Sequence, residues 1–257
     1  MAIIPRGAGG SSGGGSVALS DATPAALGTA SPGVSTEASR ADHVHEAPSG
    51  GVDTSLQAAP DTGWTAAGNG TASSTGGVAT LAVSAAQASA VLRRTHDLCS
   101  PHLPALEMVA RVTVTTVPAS GSYYVGIGVI NDDIPSNGST ARGAIAQAQS
   151  DGSTYLFVNG SGSWSFPGSA ASPATLTGGS LWLRIVYSAG GVAILAGSGA
   201  TLPSSWTTVA AVAPQHLLSG PGLVRNLLVF AGRGGGTGDL EVEVSDIQWR
   251  SLLGAPV

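Results

Sequence analysis

Apolar residues in the second half of this chain recur at every second position, and the runs stop at glycine. From Leu106 to Val117, Met108, Ala110, Val112 and Val114 fall on one side, while Glu107, Arg111, Thr113 and Thr115 fall on the other. Side chains alternate across a β-strand with a period of two, so the pattern describes a strand with one buried face. Tyr123 to Ile130 (YYVGIGVI) reads as a well-buried strand, with Gly126 and Gly128 on one face admitting another layer closely. Tyr155 to Val158 is a short strand ended by Asn159-Gly160. Leu181 to Tyr187 and Val192 to Ala196 flank the turn Ser188-Ala189-Gly190-Gly191, a hairpin signal. Leu227 to Ala231 and Leu240 to Trp249 supply two more strands. Ser84 to Arg93 has a weak helical period, but a turn followed by a strand at Ala90 to Arg94 suits it better. Strands separated by glycine-rich turns, without a long helical period, predict an all-β antiparallel sandwich over residues 51–257.

The 257 residues allow one sandwich plus an extended arm. Charged residues are only 10%, against roughly 25% in an ordinary soluble domain. The net charge is −5. All the basic side chains are arginines, scattered except for Arg93-Arg94. A nucleic-acid partner needs clustered cations to neutralise phosphates, so none is expected. No apolar run approaches the ~20 residues that span a bilayer, so membrane insertion is not expected either. Met1 to Arg6 is followed by no apolar region of the kind a signal peptide carries. The single Cys99 excludes an intrachain disulfide and cannot alone make a cysteine-based zinc site. It reads as a small buried hydrophobe.

The N-terminal part has a different character. Residues 1–22 form an arm in which Gly7 to Ser16 is nearly all Gly, Ser and Ala, too little apolar material to offset its ordering entropy. In residues 23–50, the stretch Ala26 to Pro48 reads ALGTASPGVSTEASRADHVHEAP and has Leu27, Val34 and Val44 as its only large aliphatics. It closes on Arg40-Ala41-Asp42-His43-Val44-His45. This resembles a segment that recurs in bacteriophage structural proteins, chiefly fibres and appendages. There a Leu-Gly, a Gly-Thr/Ser turn, an Arg-x-Asp-His-x-His and a Pro follow at similar spacing. The resemblance implies a virion protein (fibre, spike or head decoration), assembled in the host cytoplasm and exposed on the particle. It implies a homotrimer joined through residues 23–50, with Arg40, Asp42, His43 and His45 at the oligomer interface. The arm would then attach to capsid, portal or tail proteins.

The order of the later strands resembles the concanavalin-A-like jelly rolls. Val109-Ala110-Arg111-Val112 leads into the Tyr124 to Gly128 run. Then follow Leu181 to Ile185, a hairpin, the turn Ser204-Ser205-Trp206, and the closing strand Val242 to Ile247. What this implies is a jelly-roll sandwich, with a host-surface glycan as the ligand of an adhesin.

His43 and His45, spaced i, i+2, point to the same side of an extended chain. Three copies around an axis would present six imidazoles, enough for an octahedral transition metal, with Asp42 as an orienting carboxylate. Metal-free polar contacts across the chain interface are the alternative. Asn131-Asp132-Asp133, followed by Asn137-Gly138, offers oxygen ligands that suit calcium, and the same residues are ordinary turn formers. Asp239, Glu241 and Glu243 lie at i, i+2, i+4, and paired carboxylates hydrolyse glycosides. Their order departs from the Glu-x-Asp-x-x-Glu of laminarinase-like members of the superfamily, so a solvated strand face is expected. There is no Gly-x-Ser-x-Gly elbow, and Gly232 to Gly236 lacks the Gly-Lys-Ser/Thr ending of a phosphate loop. No catalytic residues are expected, and the chain reads as a non-enzyme. Of the five tryptophans, Trp164, in a glycine- and serine-rich stretch, is best placed as a sugar-stacking platform, whereas Trp182 and Trp249 lie in strands and should be buried. The reading is therefore a virion protein that displays a sandwich for host-surface or glycan adhesion. Its alternatives are a free-standing carbohydrate-binding or glycan-degrading protein, and a capsid-bound protein without a receptor.

Overall fold

The computed structural model describes residues 56–59, 62–86, 88–95, 106–130, 143–159, 164–188, 191–213 and 226–251. All of them lie in the compact unit Val52–Val257. The arm 1–22, the segment with Arg40, Asp42, His43 and His45, Cys99 and the Asn131 to Asp133 stretch lie outside the described residues.

The described residues form two antiparallel sheets. One has the order β13 (Thr207–Val212), β12 (Gly191–Ser198), β11 (Leu181–Ser188), β6 (Leu106–Thr116), β15 (Leu240–Ser251), β4 (Val78–Val83) and β3 (Thr71–Thr75), with β1 (Gln57–Ala58) also paired to β15. The other has the order β10 (Ser165–Ala171), β9 (Ser153–Asn159), β8 (Gly143–Gln149), β7 (Ser122–Ile130), β14 (Asn226–Gly234), β5 (Ser89–Thr95) and β2 (Trp64–Gly68). A 3-10 turn, Leu176–Gly178, precedes β11. The Ser84 to Arg93 stretch resolves into a turn and β5, as its sequence suggests.

Alternation places the core. Leu81, Met108, Ala110, Val112, Leu183, Ile185 and Val242 of the eight-stranded sheet face Ile127, Val129, Ala146, Leu156 and Val229 of the other. Every one is at 0% exposure. Removing a Leu or Ile side chain from water contributes roughly 1.5–3 kcal/mol, so these interleaved rows hold the sheets together. Trp249 joins the same core.

The glycines of β7 make room for side chains of the neighbouring strand. Val125, Ile127 and Val129 take the core side, so the pleat turns Gly126 and Gly128 to the outer face. Cross-strand partners on β14 approach them there: Phe230 lies opposite Gly126, and Leu228 opposite Gly128. A Cβ on Gly126 would come within 2.5 Å of the Phe230 ring. Tyr124 and Gly232 repeat the arrangement with the roles of the strands exchanged.

Candidate functional site

On the seven-stranded sheet, the outer face carries apolar and aromatic side chains where a solvated sheet would carry polar ones. Val91, Ile130, Leu228 and Phe230 form a second buried cluster there, and Tyr124, Ile145 and Trp164 pack against it. The Tyr124 and Phe230 rings sit 6.1 Å apart, tilted by 57°. Burial pushes the Tyr124 hydroxyl above its ordinary pKa.

Toward the β10 edge the same face opens. Leu156 and Val158 of β9 point into the core, so Tyr155 and Phe157 point outward. The β9–β10 register shifts between Ser165 and Gly168. Phe166 lies inside that bulge and reaches both rings, at 5.2 Å from Tyr155 and 5.7 Å from Phe157. Bulges commonly re-aim a side chain in this way. The Phe166 side of the triad is open: the residue is 51% exposed. Tyr155 donates its hydroxyl to Asp151, and that bond is the main cause of its raised pKa. Beside the triad, Gln147 pairs with Tyr155 on the neighbouring strand, and Gln149 follows on the same face. Among the described residues, neither glutamine amide has a hydrogen-bond partner. The result is an apolar plate edged by free amides and an oriented phenol, which suits a ligand with one C–H face and hydroxyls at its rim.

On the eight-stranded sheet the outer face is covered over β6 and β11. Residues 199–206 cross it: Trp182 Nε1 donates to the Gly199 carbonyl at 2.8 Å, and Arg111 Nη1 to that of Ala200 at 3.0 Å. Arg111 lies over the Trp182 ring and Arg184 over the Trp206 ring, at 5.9 and 5.4 Å. Beneath them Glu107, 2% exposed, sits between two cations. Arg250 gives it Nε and Nη2 at 2.7 Å. Arg184 Nε lies 2.9 Å away, a charge contact whose angle is not that of a hydrogen bond.

Of the residues singled out from sequence, Trp164 is described and half-buried, a supporting wall of the aromatic face. Phe166, two positions on, is its exposed member. The Trp-Ser-Phe spacing was the available signal, since positions i and i+2 share a face. Trp182 is buried as expected, but under the loop outside the sheet. Asp239, Glu241 and Glu243 lie on a solvated stretch, where Glu241 accepts from Thr116 at 2.7 Å. No group of three or more His, Cys, Asp or Glu comes together among the described residues.

No protein-family model matches the chain, and no curated protein sequence matches it. Solved structures do resemble it. The calcium-bound exoplasmic/lumenal domain of VIP36 aligns with a TM-score of 0.53 and 13% identity, over 76% of this chain and 86% of that one. The same domain with calcium and Man3GlcNAc bound gives 0.52 and 12%, over 77% and 87%. The carbohydrate-binding module CBM66 from Bacillus subtilis gives 0.47 and 11%, over 74% and 96%. The fold is a concanavalin-A-like jelly roll. That assignment rests on the VIP36 likeness together with the strand order of the two sheets.

Proposed function

We propose that this jelly roll is a non-catalytic glycan-binding module whose binding surface is the aromatic outer face of the seven-stranded sheet. The observation that carries the reading is the Tyr155–Phe157–Phe166 triad, open at Phe166, with the unpartnered amides of Gln147 and Gln149 beside it. Sugar rings present C–H faces that pack on aromatic planes, while their hydroxyls both donate to and accept from amides. The VIP36 domain has a sugar-bound form, so its fold accommodates this use. The described carboxylates support a non-catalytic role. Of them, Glu107 is held by two arginines, Asp246 by Arg111, Asp151 by Tyr155 and Glu241 by Thr116, while Asp239 and Glu243 are exposed to solvent. Hydrolysis of a glycoside needs an acid and a second carboxylate facing one bond.

A second reading concerns where the module is displayed. The Arg40 to His45 motif, which resembles that of phage fibres, favours presentation on a virion as a trimer, with residues 1–22 as the attachment arm. Several copies would then convert weak single-site affinity into avidity.

The test is a glycan array followed by titration with the strongest hit, using the full chain and Phe166→Ala. Truncating one well-placed aromatic typically costs more than about 1.4 kcal/mol, a tenfold loss of affinity. Phe166 is half exposed, so the melting temperature should hold. An array without hits, or equal binding by the variant, would refute the reading.

A further inference from the structure

On the opposite sheet, a cleft of about 300 Å³ opens beside β15, lined by Ala58, Ala59, Val78, Arg111, Asp246 and Gln248 among others. It lies where two strands share one flank of β15. β4 pairs with residues 240–244 and β1 with 248–249, and between them β15 bulges against β6. We infer that this cleft is a second ligand site, taking a single neutral, hydroxyl-rich ring such as one sugar residue, and independent of the aromatic face.

The polar groups are fixed in advance. Asp246, at φ +52°, is the only non-glycine residue with positive φ among the described residues. Such backbone persists only where its surroundings hold it, and it gathers at binding sites. Here Arg111 Nη2 at 3.0 Å and the Ser245 hydroxyl at 3.0 Å both bind Asp246 Oδ2. Arg111 is itself fixed by the Ser245 hydroxyl at 3.1 Å, the Ala200 carbonyl and the Trp182 ring. Among the described residues, Asp246 Oδ1 is left without a partner, and so is the Gln248 side-chain amide. The cleft therefore offers one oriented acceptor, one amide that donates and accepts, and the apolar wall of Ala58, Ala59 and Val78.

Those groups select the ligand's chemistry. It must donate to a carboxylate oxygen, exchange both kinds of hydrogen bond with an amide, and present a C–H face. Adjacent hydroxyls on a ring do all three. An anion would meet a free carboxylate oxygen and a guanidinium that is already neutralised. A cation would meet the Arg111 guanidinium directly behind the Asp246 carboxylate. The volume is at the lower end of the roughly 300–1,000 Å³ of small-molecule pockets, which suits one ring better than a chain.

The experiment is saturation-transfer NMR on the full chain with the methyl glycosides of mannose, glucose, galactose, N-acetylglucosamine and glucuronic acid. Phe166→Ala disables the aromatic face. Asp246→Gly removes the acceptor while suiting the positive φ, and Gln248→Ala removes the amide. Thermal unfolding checks that each variant is folded. The expected result is that a neutral glycoside still gives signal in Phe166→Ala. That signal should fall at least fivefold when either Asp246→Gly or Gln248→Ala is added, and the glucuronide should give none. Loss of all binding in Phe166→Ala alone would overturn the second site and leave the aromatic-face reading intact. Residual binding indifferent to both cleft variants, or equal binding of the glucuronide, would also overturn it. If Phe166→Ala changes nothing while Asp246→Gly abolishes binding, the cleft stands and the aromatic face fails.

Discussion

Replacing Glu107 with Gln should destabilise the sandwich by about 2–3 kcal/mol, and the geometry of its ion-pair cluster shows why. The carboxylate is 2% exposed and lies 2.7 to 2.9 Å from the nitrogens of Arg250 and Arg184, which are 29% and 23% exposed. Each pair is worth about 4 kcal/mol at an effective dielectric near 20, and stripping water from the carboxylate offsets several kcal/mol of that. The intact cluster therefore contributes little net stability. Its removal is another matter, because two cations then face each other across a neutral amide. Breaking a fully buried pair costs roughly 3–5 kcal/mol, and partial exposure of both arginines lowers that to the stated range. At about 2–4 °C per kcal/mol for a domain of this size, the melting temperature should fall by about 4–12 °C. Urea unfolding followed by tryptophan fluorescence measures the free energy. It also reports Trp206, whose Arg184 partner is freed by the same change. The triple variant Glu107→Leu, Arg184→Met, Arg250→Met should recover most of the loss, since it leaves no unpaired charge. A Glu107→Gln protein within about 0.5 kcal/mol of the parent, or a triple variant no better than the single one, would refute this reasoning.

Two further outcomes are expected. Tyr124 and Tyr155 both have pKa values raised above 10.0, Tyr155 chiefly by its bond to Asp151 and Tyr124 by burial. The folded state thus favours the neutral phenols: their stabilisation is complete below pH 10 and is lost as the pH climbs through the folded values. Absorbance at 295 nm should show two late-titrating tyrosines, and Asp151→Asn should bring one back toward the ordinary range. The motif at residues 40–45 yields the other. Replacing His43 and His45 with Ala should weaken a trimer without unfolding the sandwich, as read by light scattering and melting. Chelator should mimic the change if metal joins the copies, and an unaltered oligomer would remove the role.

The strands legible in the sequence were those whose buried rows are large aliphatics. β6, β11, β12 and β15 show this, with Met108, Leu183, Ile194 and Val242 in large-aliphatic rows at every second position. β8 was not legible, because its buried row is Ala144, Ala146 and Ala148, all at 0% exposure. Alanine marks no face by itself; it is buried there because long side chains from the facing sheet fill the layer. β10 was hidden by Pro167 and Gly168, which ordinarily argue against a strand and here mark an edge bulge. For the proposed site, Trp164 packs against the buried outer cluster, and Phe166 is the ring presented. Which ring is exposed depends on the bulge in the β9–β10 pairing, and a one-residue slip in register reverses every face. Glu107 shows the same limit, since alternation assigned it to the polar side, yet there it pairs with Arg184 and Arg250 and is 2% exposed.

The way β1 is attached has a mechanical consequence. It holds to β15 through the pairs Gln57–Trp249 and Ala58–Gln248, reinforced by the Ala59 amide on the Ile247 carbonyl at 2.8 Å. β15 itself is flanked by β6 along nearly its whole length and anchored in the core by Val242, Val244 and Trp249. A pull on the chain ahead of β1, with the sheet faces held, would load those few bonds one after another, like a zip, while the long β6–β15 seam stays intact. The first strand would peel at low force and release slack, and the rest of the sandwich would resist as a block. A module tethered at that end and gripping a surface by its face would yield slightly under a sudden tug before its grip was tested.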